Sequence, residues 1–465
     1  MLRLLFFLVV ACALAWTAVW VADHPGTVTI QWLDHEAILH VGTVLTILLV
    51  LAIAAILLFE VLRVVMGAPG RFRLSRSGRH ELRGQQALSR GLMAAAAGDL
   101  QGARSHAREA ERYVPDHAGL LLLGAQAAQL EGREEVAHLK FRQMLERRDG
   151  EFVGLRGLLA QAMKAGNFDE ALDLARRAYR RSPTTPWVLT TLFELLTRAG
   201  KWDEALGLVG EMQTQRLLDE AGARHKRAVL HHLLARQLQQ ADRGNDALAQ
   251  ARKAVKADPA FAPGVVLAAE IAMQLGRRRL ALQLLEDSWR AAPHPDTGRA
   301  YAELDPGEAP AQRLQRIATR LAPLNREHQE TRILLGEAAL QAQQWDQARD
   351  QLEAALKSEP TARVYRLLAE LERQATGDNA KAQTWLARAP DAAPDRAWIC
   401  DDTGEILPAW QPLAPSGRFD AVQWTTPPRV ATLLAAEHAT TYILAEEGIA
   451  GPTARPAPEM QAAAS

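Results

Sequence analysis

Histidine, cysteine and acidic side chains are the groups in this chain that could ligate a metal or move a proton. Their spacing argues against both. Thirteen histidines are scattered through 465 residues, and His231-His232 is the one adjacent pair. Neighbours on a helix point about 100° apart, so these two do not form a metal pair. A solvent-facing or packed role is expected, while haem ligation by one histidine stays open from sequence alone. Cysteine occurs only at Cys12 and Cys400, which excludes a disulfide scaffold and any four-cysteine zinc site. Cys400-Asp401-Asp402-Thr403-Gly404 opens a stretch with the outline of two metal knuckles, C-x-x-C-G and then C-P-x-x-C-G. Thr403 stands where a second cysteine belongs, and the second knuckle offers Ala414 and Ser416, one residue short. One thiolate cannot hold a tetrahedral zinc, so no metal and no cofactor is expected. Asp401 and Asp402 should raise the Cys400 pKa, which leaves a regulatory thiol as the minor alternative. A Gly-rich phosphate loop, a nucleophile elbow, a metalloprotease helix and a dinucleotide fingerprint are all missing. An enzyme is not expected.

The elements around these residues are helical by composition. Ala and Leu stand beside Arg, Glu and Gln, all strong helix formers, and aromatics are only 6%. Lys+Arg and Asp+Glu are 54 each, so no net charge draws the chain to nucleic acid. Hydrophobic residues are 48%, yet mean hydropathy is −0.14. These averages hide a strong segregation of the apolar residues along the chain.

They are concentrated at the start. Residues 4–22 and 41–59 are each free of charge. At 1.5 Å per residue each covers about 28 Å, close to the ~30 Å bilayer core. Two transmembrane helices are expected, with Trp16 and Trp20 near one interface. A cleaved signal peptide would have a shorter apolar core. Here the run passes the possible cleavage points and the faint lipoprotein box at Val9-Val10-Ala11-Cys12, so an uncleaved helix is expected. The segment 23–40 carries no Lys or Arg, whereas Arg63, Arg71, Arg73, Arg76, Arg79, Arg83 and Arg90 follow the second run. The positive-inside rule puts that side in the cytoplasm. Both termini are then cytoplasmic, and the loop 23–40 is external, with a short extended piece over Thr27 to Leu33. Gly67-Ala68-Pro69-Gly70 is expected to end the second helix as a hinge. The arginines could also meet anionic headgroups at about 1 kcal/mol each. Nucleic-acid binding is disfavoured, because no aromatics interleave them.

From residue 84 the chain repeats. Gly98 and Ala103, Gly132 and Ala137, Gly166 and Ala171, and Gly200 and Ala205 recur every 34 residues. The beat resumes at Ala247 and Ala281, and again at Ala348 and Ala382. This is the tetratricopeptide (TPR) period of paired helices. The glycine ends one helix in a left-handed conformation. The following Asp or Asn caps the next helix, and the small alanine lets the two pack closely. The step from Ala205 to Ala247 is eight residues too long, which predicts longer helices or an inserted turn around 216–240. Pro293, Pro295, Pro306, Gly307 and Pro310 predict a loop over 292–310, and a degenerate repeat is expected between Ala281 and Ala348. Such arrays curve into a groove lined by the first helix of each pair, the default binding surface.

Past Pro394, Trp398, Trp410, Phe419 and Trp424 with Gly turns predict two short strands. The outline is that of a zinc-ribbon or rubredoxin-like segment without its metal, held instead by packing of those four rings. The tail from Pro452 is Ala/Pro-rich and expected to be disordered. The expected organisation is an all-α chain: a transmembrane hairpin over 1–66, a basic linker over 67–83 and a TPR solenoid over 84–394. A degenerate zinc-ribbon-like segment over 395–428 and a tail over 429–465 follow.

Together these features resemble the HemY family of proteobacterial inner-membrane proteins. The resemblance rests on Pro25-Gly26, Ile30-Gln31-Trp32-Leu33, Ala87-Leu88-Ser89-Arg90-Gly91-Leu92, Leu155-Arg156-Gly157-Leu158-Leu159, Pro186-Trp187 and the tail from Trp398 to Trp424. Many family members keep cysteines in that tail, and this chain departs from them. The resemblance implies a two-pass protein of the bacterial inner membrane with its repeats in the cytoplasm. It implies a scaffold in haem (porphyrin) biosynthesis whose partners are late-pathway enzymes. Self-association is left open. An unrelated flavin-dependent protoporphyrinogen oxidase shares the family name, but this chain lacks the dinucleotide fingerprint that such an oxidase needs. The alternatives are a TPR adaptor of lipopolysaccharide assembly, which would have one span and an intact metal knuckle, and a tetrapyrrole-binding protein.

Overall fold

The computed structural model describes residues 26–32 and 35–427, with Trp16, Val19 and Trp20. The first expected span, 4–22, lies outside the described residues apart from those three, as does the tail 428–465. The side chains of Arg63, Arg71, Arg73, Arg76 and Arg79 are also outside them; Arg83 and Arg90 are exposed. The chain forms two compact units that meet between Gly150 and Glu151. This division falls within the repeats and differs from the boundaries expected above.

In the first unit, β1 (Thr27–Trp32) and β2 (His35–His40) pair antiparallel, with Thr27 opposite His40 and Ile30 opposite Ala37. The β-branched run Thr-Val-Thr-Ile suits a strand. Helix α1 (Val41–Ala96) follows without a break. Its segment Val41–Phe59 has mean hydropathy 2.9 and none of it is packed inside the protein. Among the described residues it is the one segment long and apolar enough to cross a membrane. The expected hinge at Gly67-Ala68-Pro69-Gly70 does not form, and the linker is helical. A proline forfeits one intrahelical hydrogen bond without obliging the chain to turn, and good helix formers propagate the helix on either side. The end of α1 packs on α2 (Leu100–Tyr113) and α3 (Ala118–Leu130), and α4 (Glu134–Leu145) completes the unit. Leu88, Ala95, Ala103, Ala110 and Leu123 form the core here. A Cβ on Gly91 would sit 2.5 Å from Leu123, so only glycine allows α1 and α3 to approach this closely.

The second unit is built of helix pairs. They are α5 (Glu151–Lys164) with α6 (Phe168–Arg181), α7 (Pro186–Arg198) with α8 (Trp202–Thr214), and α9 (Glu220–Gln240) with α10 (Gly244–Ala257). Next come α11 (Ala262–Gln274) with α12 (Arg278–Ala291) and α13 (Pro295–Ala302) with α14 (Pro310–Arg316). The last are α15 (Gln329–Gln341) with α16 (Trp345–Ser358) and α17 (Ala362–Ala375) with α18 (Asn379–Leu386). Across both units a left-handed residue falls five before each repeat alanine. These residues are Gly98, Gly132, Gly166, Gly200, Asp242, Gly276, Gln343 and Gly377, with φ between 55° and 76°. Ala103, Ala137, Ala171, Ala205, Ala247, Ala281, Ala348 and Ala382 are at most 1% exposed. Asp99 and Asn167 accept from the backbone N–H of Gly102 and Glu170, capping α2 and α6. The long step is taken up mostly by α9, with 21 residues where its neighbours have 13 or 14.

The stretch 292–310 corrects the expected loop. Pro295 and Pro310 stand at the first positions of α13 and α14, where a missing N–H costs nothing and the fixed φ suits the helix. These prolines start helices, and the pair is the degenerate repeat. It ends in a π-helical turn and a 3-10 turn over Ile317–Leu321 and Ala322–Leu324. Trp289 and Tyr301 are fully buried against it.

A three-stranded sheet, β4-β3-β5, closes the second unit, one strand more than expected. Strand β3 (Ala397–Cys400) pairs antiparallel with β4 (Ile406–Leu407) and β5 (Val422–Thr425), placing Trp398 opposite both Leu407 and Trp424. Trp398, Cys400, Leu407, Ala414 and Val422 form its small core, with Trp410 and Trp424 against it.

Candidate functional site

The β-module supplies the most concentrated chemistry in the second unit, because it docks along the first helices of successive pairs. Phe419 does not join the module's own core as expected. It meets Phe193 of α7 edge-on at 5.6 Å and Trp202 of α8 at 6.2 Å, with Lys226 Nζ 5.6 Å from its ring centre. The next residue, Asp420, is buried and left-handed (φ 59°). Its carboxylate accepts from His225 Nε2 at 3.3 Å and Lys226 Nζ at 3.5 Å. His225 Nδ1 meets Asp258 at 2.7 Å. Burial alone would push the His225 imidazole down, but hydrogen bonds to Asp258 and Asp420 outweigh it and raise the pKa to about 9. Trp410 sits against His232 at 5.3 Å and Phe261 at 5.0 Å. Trp398 and Trp424 flank His294 at 5.4 and 4.4 Å. Asp395 accepts from the Arg363 backbone N–H at 2.8 Å and pairs with the Arg366 guanidinium.

Between the module and the helix ends lies a cavity of about 1230 Å³. Its lining carries eight carboxylates against four arginines. Arg363 is clamped between Glu330 at 2.9 Å and Glu337 at 2.8 Å. Burial raises the Glu330 pKa even so. His294, 7% exposed, accepts the Asp296 N–H on Nδ1 at 3.1 Å. Its proton is then on Nε2, which has no partner. Burial pushes this imidazole down to about 4, so it is neutral at pH 7.

The sequence-derived candidates fall in two groups. The repeat glycines and alanines are packing positions, as described above. Among the histidines, His117, His294 and His328 each cap a helix by accepting a backbone N–H two residues on. His294 and His328 are one repeat length apart, the signal that could have revealed this. His231 bonds Gln250 at 2.9 Å, whereas His232 is buried with a pKa pushed down to about 3 by burial. The two do not converge. Among the described residues no cluster of three His, Cys, Asp or Glu could hold a metal. The expectation for Cys400 is corrected. A hydrogen bond from the Thr403 hydroxyl, together with the backbone N–H groups of Asp402 and Thr403, lowers its pKa despite burial. Its thiol is nonetheless fully buried, so it is a packing group. The docking residues His225, Lys226 and Asp420 were missed. Three indoles in a segment of about thirty residues were the hint, since so short a segment cannot bury them alone.

Residues 26–132 match the family model of the HemY protein N-terminus, and residues 162–224 match a tetratricopeptide repeat model. The chain thus carries a HemY-type N-terminal region and a tetratricopeptide repeat. Over 434 residues it is 28% identical to the probable magnetosome protein Mms48 of Magnetospirillum gryphiswaldense, covering 91% of this chain and 94% of that one. Among solved structures it is similar to Naa15/Naa10 bound to HypK-THB, with 12% identity and a TM-score of 0.35, covering 66% of this chain and 63% of that chain. It is also similar to the MamA protein, with 12% identity and a TM-score of 0.22, covering 49% of this chain and 95% of that chain.

Proposed function

We propose that the protein is a non-enzymatic scaffold of haem (porphyrin) biosynthesis, anchored in the bacterial inner membrane, whose helix pairs and β-module bind partner enzymes. Both termini and the repeats face the cytoplasm, as the arginines after residue 59 favour. The observation that carries the scaffold reading is how the chain uses its reactive groups. Cys400 is buried in the module core, three histidines cap helices, and Asp420 of the docked module is paired with His225 and Lys226. What remains for function is surface. The haem assignment is supported by the HemY-type N-terminal region. Crosslinking in intact membranes followed by mass spectrometry tests it. Late tetrapyrrole enzymes should be recovered, and a deletion strain should show altered porphyrins. Recovery of none, with normal porphyrins, would sink the assignment.

A second reading keeps the scaffold and changes its setting. Similarity along most of the chain to a probable magnetosome protein favours a scaffold at that compartment's membrane. Altered magnetosomes with normal porphyrins would support it.

A further inference from the structure

We propose that the cleft between the β-module and the ends of α11, α13, α15 and α17 binds an extended, positively charged peptide segment of a partner protein. The proposal rests on the scaffold reading and gives it a place and a chemistry.

Three observations carry it. The first is charge. Eight carboxylates line the cleft against four arginines and the protonated His225, which Asp258 offsets, and one of those arginines, Arg363, is shared by Glu330 and Glu337. One negative charge is therefore left over in that clamp alone. Glu303 and Glu359 also line the cleft, and the shape focuses their field. The second observation is the aromatic wall of Trp410 and Trp424, backed by the buried Trp398. Indole faces beside carboxylates suit a guanidinium or ammonium group, which gains from both. The third is unpaired hydrogen-bonding capacity. His294 is 7% exposed with Nε2–H unpartnered, and Gln329, whose Nε2 donates to the Glu359 carbonyl, has a buried Oε1 without a donor. Both residues line the cleft. Both atoms are buried in the wall, so a peptide's C=O and N–H reach this donor and this acceptor only as the side chains shift. At about 1230 Å³ the cleft exceeds the ~300–1,000 Å³ typical of small-molecule pockets. It is roomier than a single small cation requires.

The neutral state of His294 fits this assignment, because a protonated imidazole would oppose a cationic guest. Its pKa of about 4 leaves it uncharged at pH 7.

The test uses the full chain in detergent and two fluorescein-labelled octapeptides, one alternating Arg and Ala, the other alternating Glu and Ala. Fluorescence anisotropy should show saturable binding of the Arg peptide that weakens with salt, and no binding of the Glu peptide. The rim double variant Glu303→Gln with Glu359→Gln leaves the Arg363 clamp intact. It should weaken the Arg peptide by about tenfold. Glu330→Gln should weaken it further, with folding checked by circular dichroism. Asp173→Asn, on the exposed surface of α6 away from the cleft, should change nothing. Binding of the Glu peptide as tight as that of the Arg peptide would overturn the proposal. So would an Arg-peptide affinity that ignores both cleft variants, or that falls equally with Asp173→Asn. In any of those cases, crosslinked enzymes recovered from membranes would leave the scaffold reading standing. Their absence despite tight peptide binding would remove the haem setting while keeping the cleft.

Discussion

Asp242 and Gln343 hold a left-handed backbone that glycine holds at the six equivalent repeat positions. For an L-residue with a Cβ this conformation costs about 1–2 kcal/mol, partly offset by the lower entropy of the non-glycine unfolded chain. Gln343→Gly should therefore stabilise the second unit by about 0.5–1 kcal/mol in urea titrations. Asp242→Gly should gain less, since Asp tolerates this region better. Gly200→Ala should lose about 1 kcal/mol. Residue-scale chemistry also sets a pH dependence. The His225 pKa is raised from 6.5 to about 9 in the folded protein by Asp258 and Asp420. A raised folded pKa means the folded state holds the proton more tightly. The contribution is full below about pH 6.5 and is lost as pH rises through about 9. Module docking should thus weaken between pH 7 and 10, read as a change in tryptophan emission from Trp410 and its neighbours. His225→Gln should flatten that change, and an unaltered profile in this variant would refute the assignment.

At the scale of elements, the β-module depends on the helices it covers. Phe419 is 8% exposed and wedged between Phe193 and Trp202. Phe419→Ala should cost about 3 kcal/mol of docking, near the lower end for a buried phenylalanine. Hydrogen exchange should then accelerate in β3 and β5 while α10, on the far side of its pair, keeps its protection. Equal acceleration everywhere would mean that the module and the helices unfold as one. The helix pairs themselves were legible in the sequence, because a 34-residue beat of Gly and Ala is a direct imprint of left-handed caps and close helix contacts. The repeat over 295–324 was not legible. Proline at the first position of a helix and proline in a loop look alike without the neighbouring helix for comparison. The docking site was less legible still. His225 and Lys226 lie almost 200 residues from Asp420 in sequence and meet it only when the module folds back. Burial of Asp420 is a tertiary property, and no local periodicity announces it.

At the scale of the whole molecule, zero net charge and a mean hydropathy of −0.14 average a bilayer-compatible segment with charged helix pairs. Helix α1 carries the transition within one element: Val41–Phe59 is apolar with none of it packed inside, and the same helix continues to Ala96 in the core of the first repeat. Glu60 to Ala96 spans about 55 Å at 1.5 Å per residue, so the repeat core is tied to the apolar segment by one helix, whose hydrogen-bond ladder skips the Pro69 nitrogen. If Val41–Phe59 crosses the bilayer, Leu51 lies near its midplane, and Leu51→Arg should cost about 2.5–3.5 kcal/mol of insertion. The apolar run 4–22 could hide that loss by anchoring the chain independently. The informative comparison is therefore made in a chain lacking residues 4–22. There Leu51→Arg should move the protein from the carbonate-resistant membrane fraction into the supernatant, while the parent truncation stays with the membrane. Retention of the Leu51→Arg truncation in the resistant fraction would show that 41–59 is not the anchor and that attachment comes from elsewhere, such as the arginines that follow it.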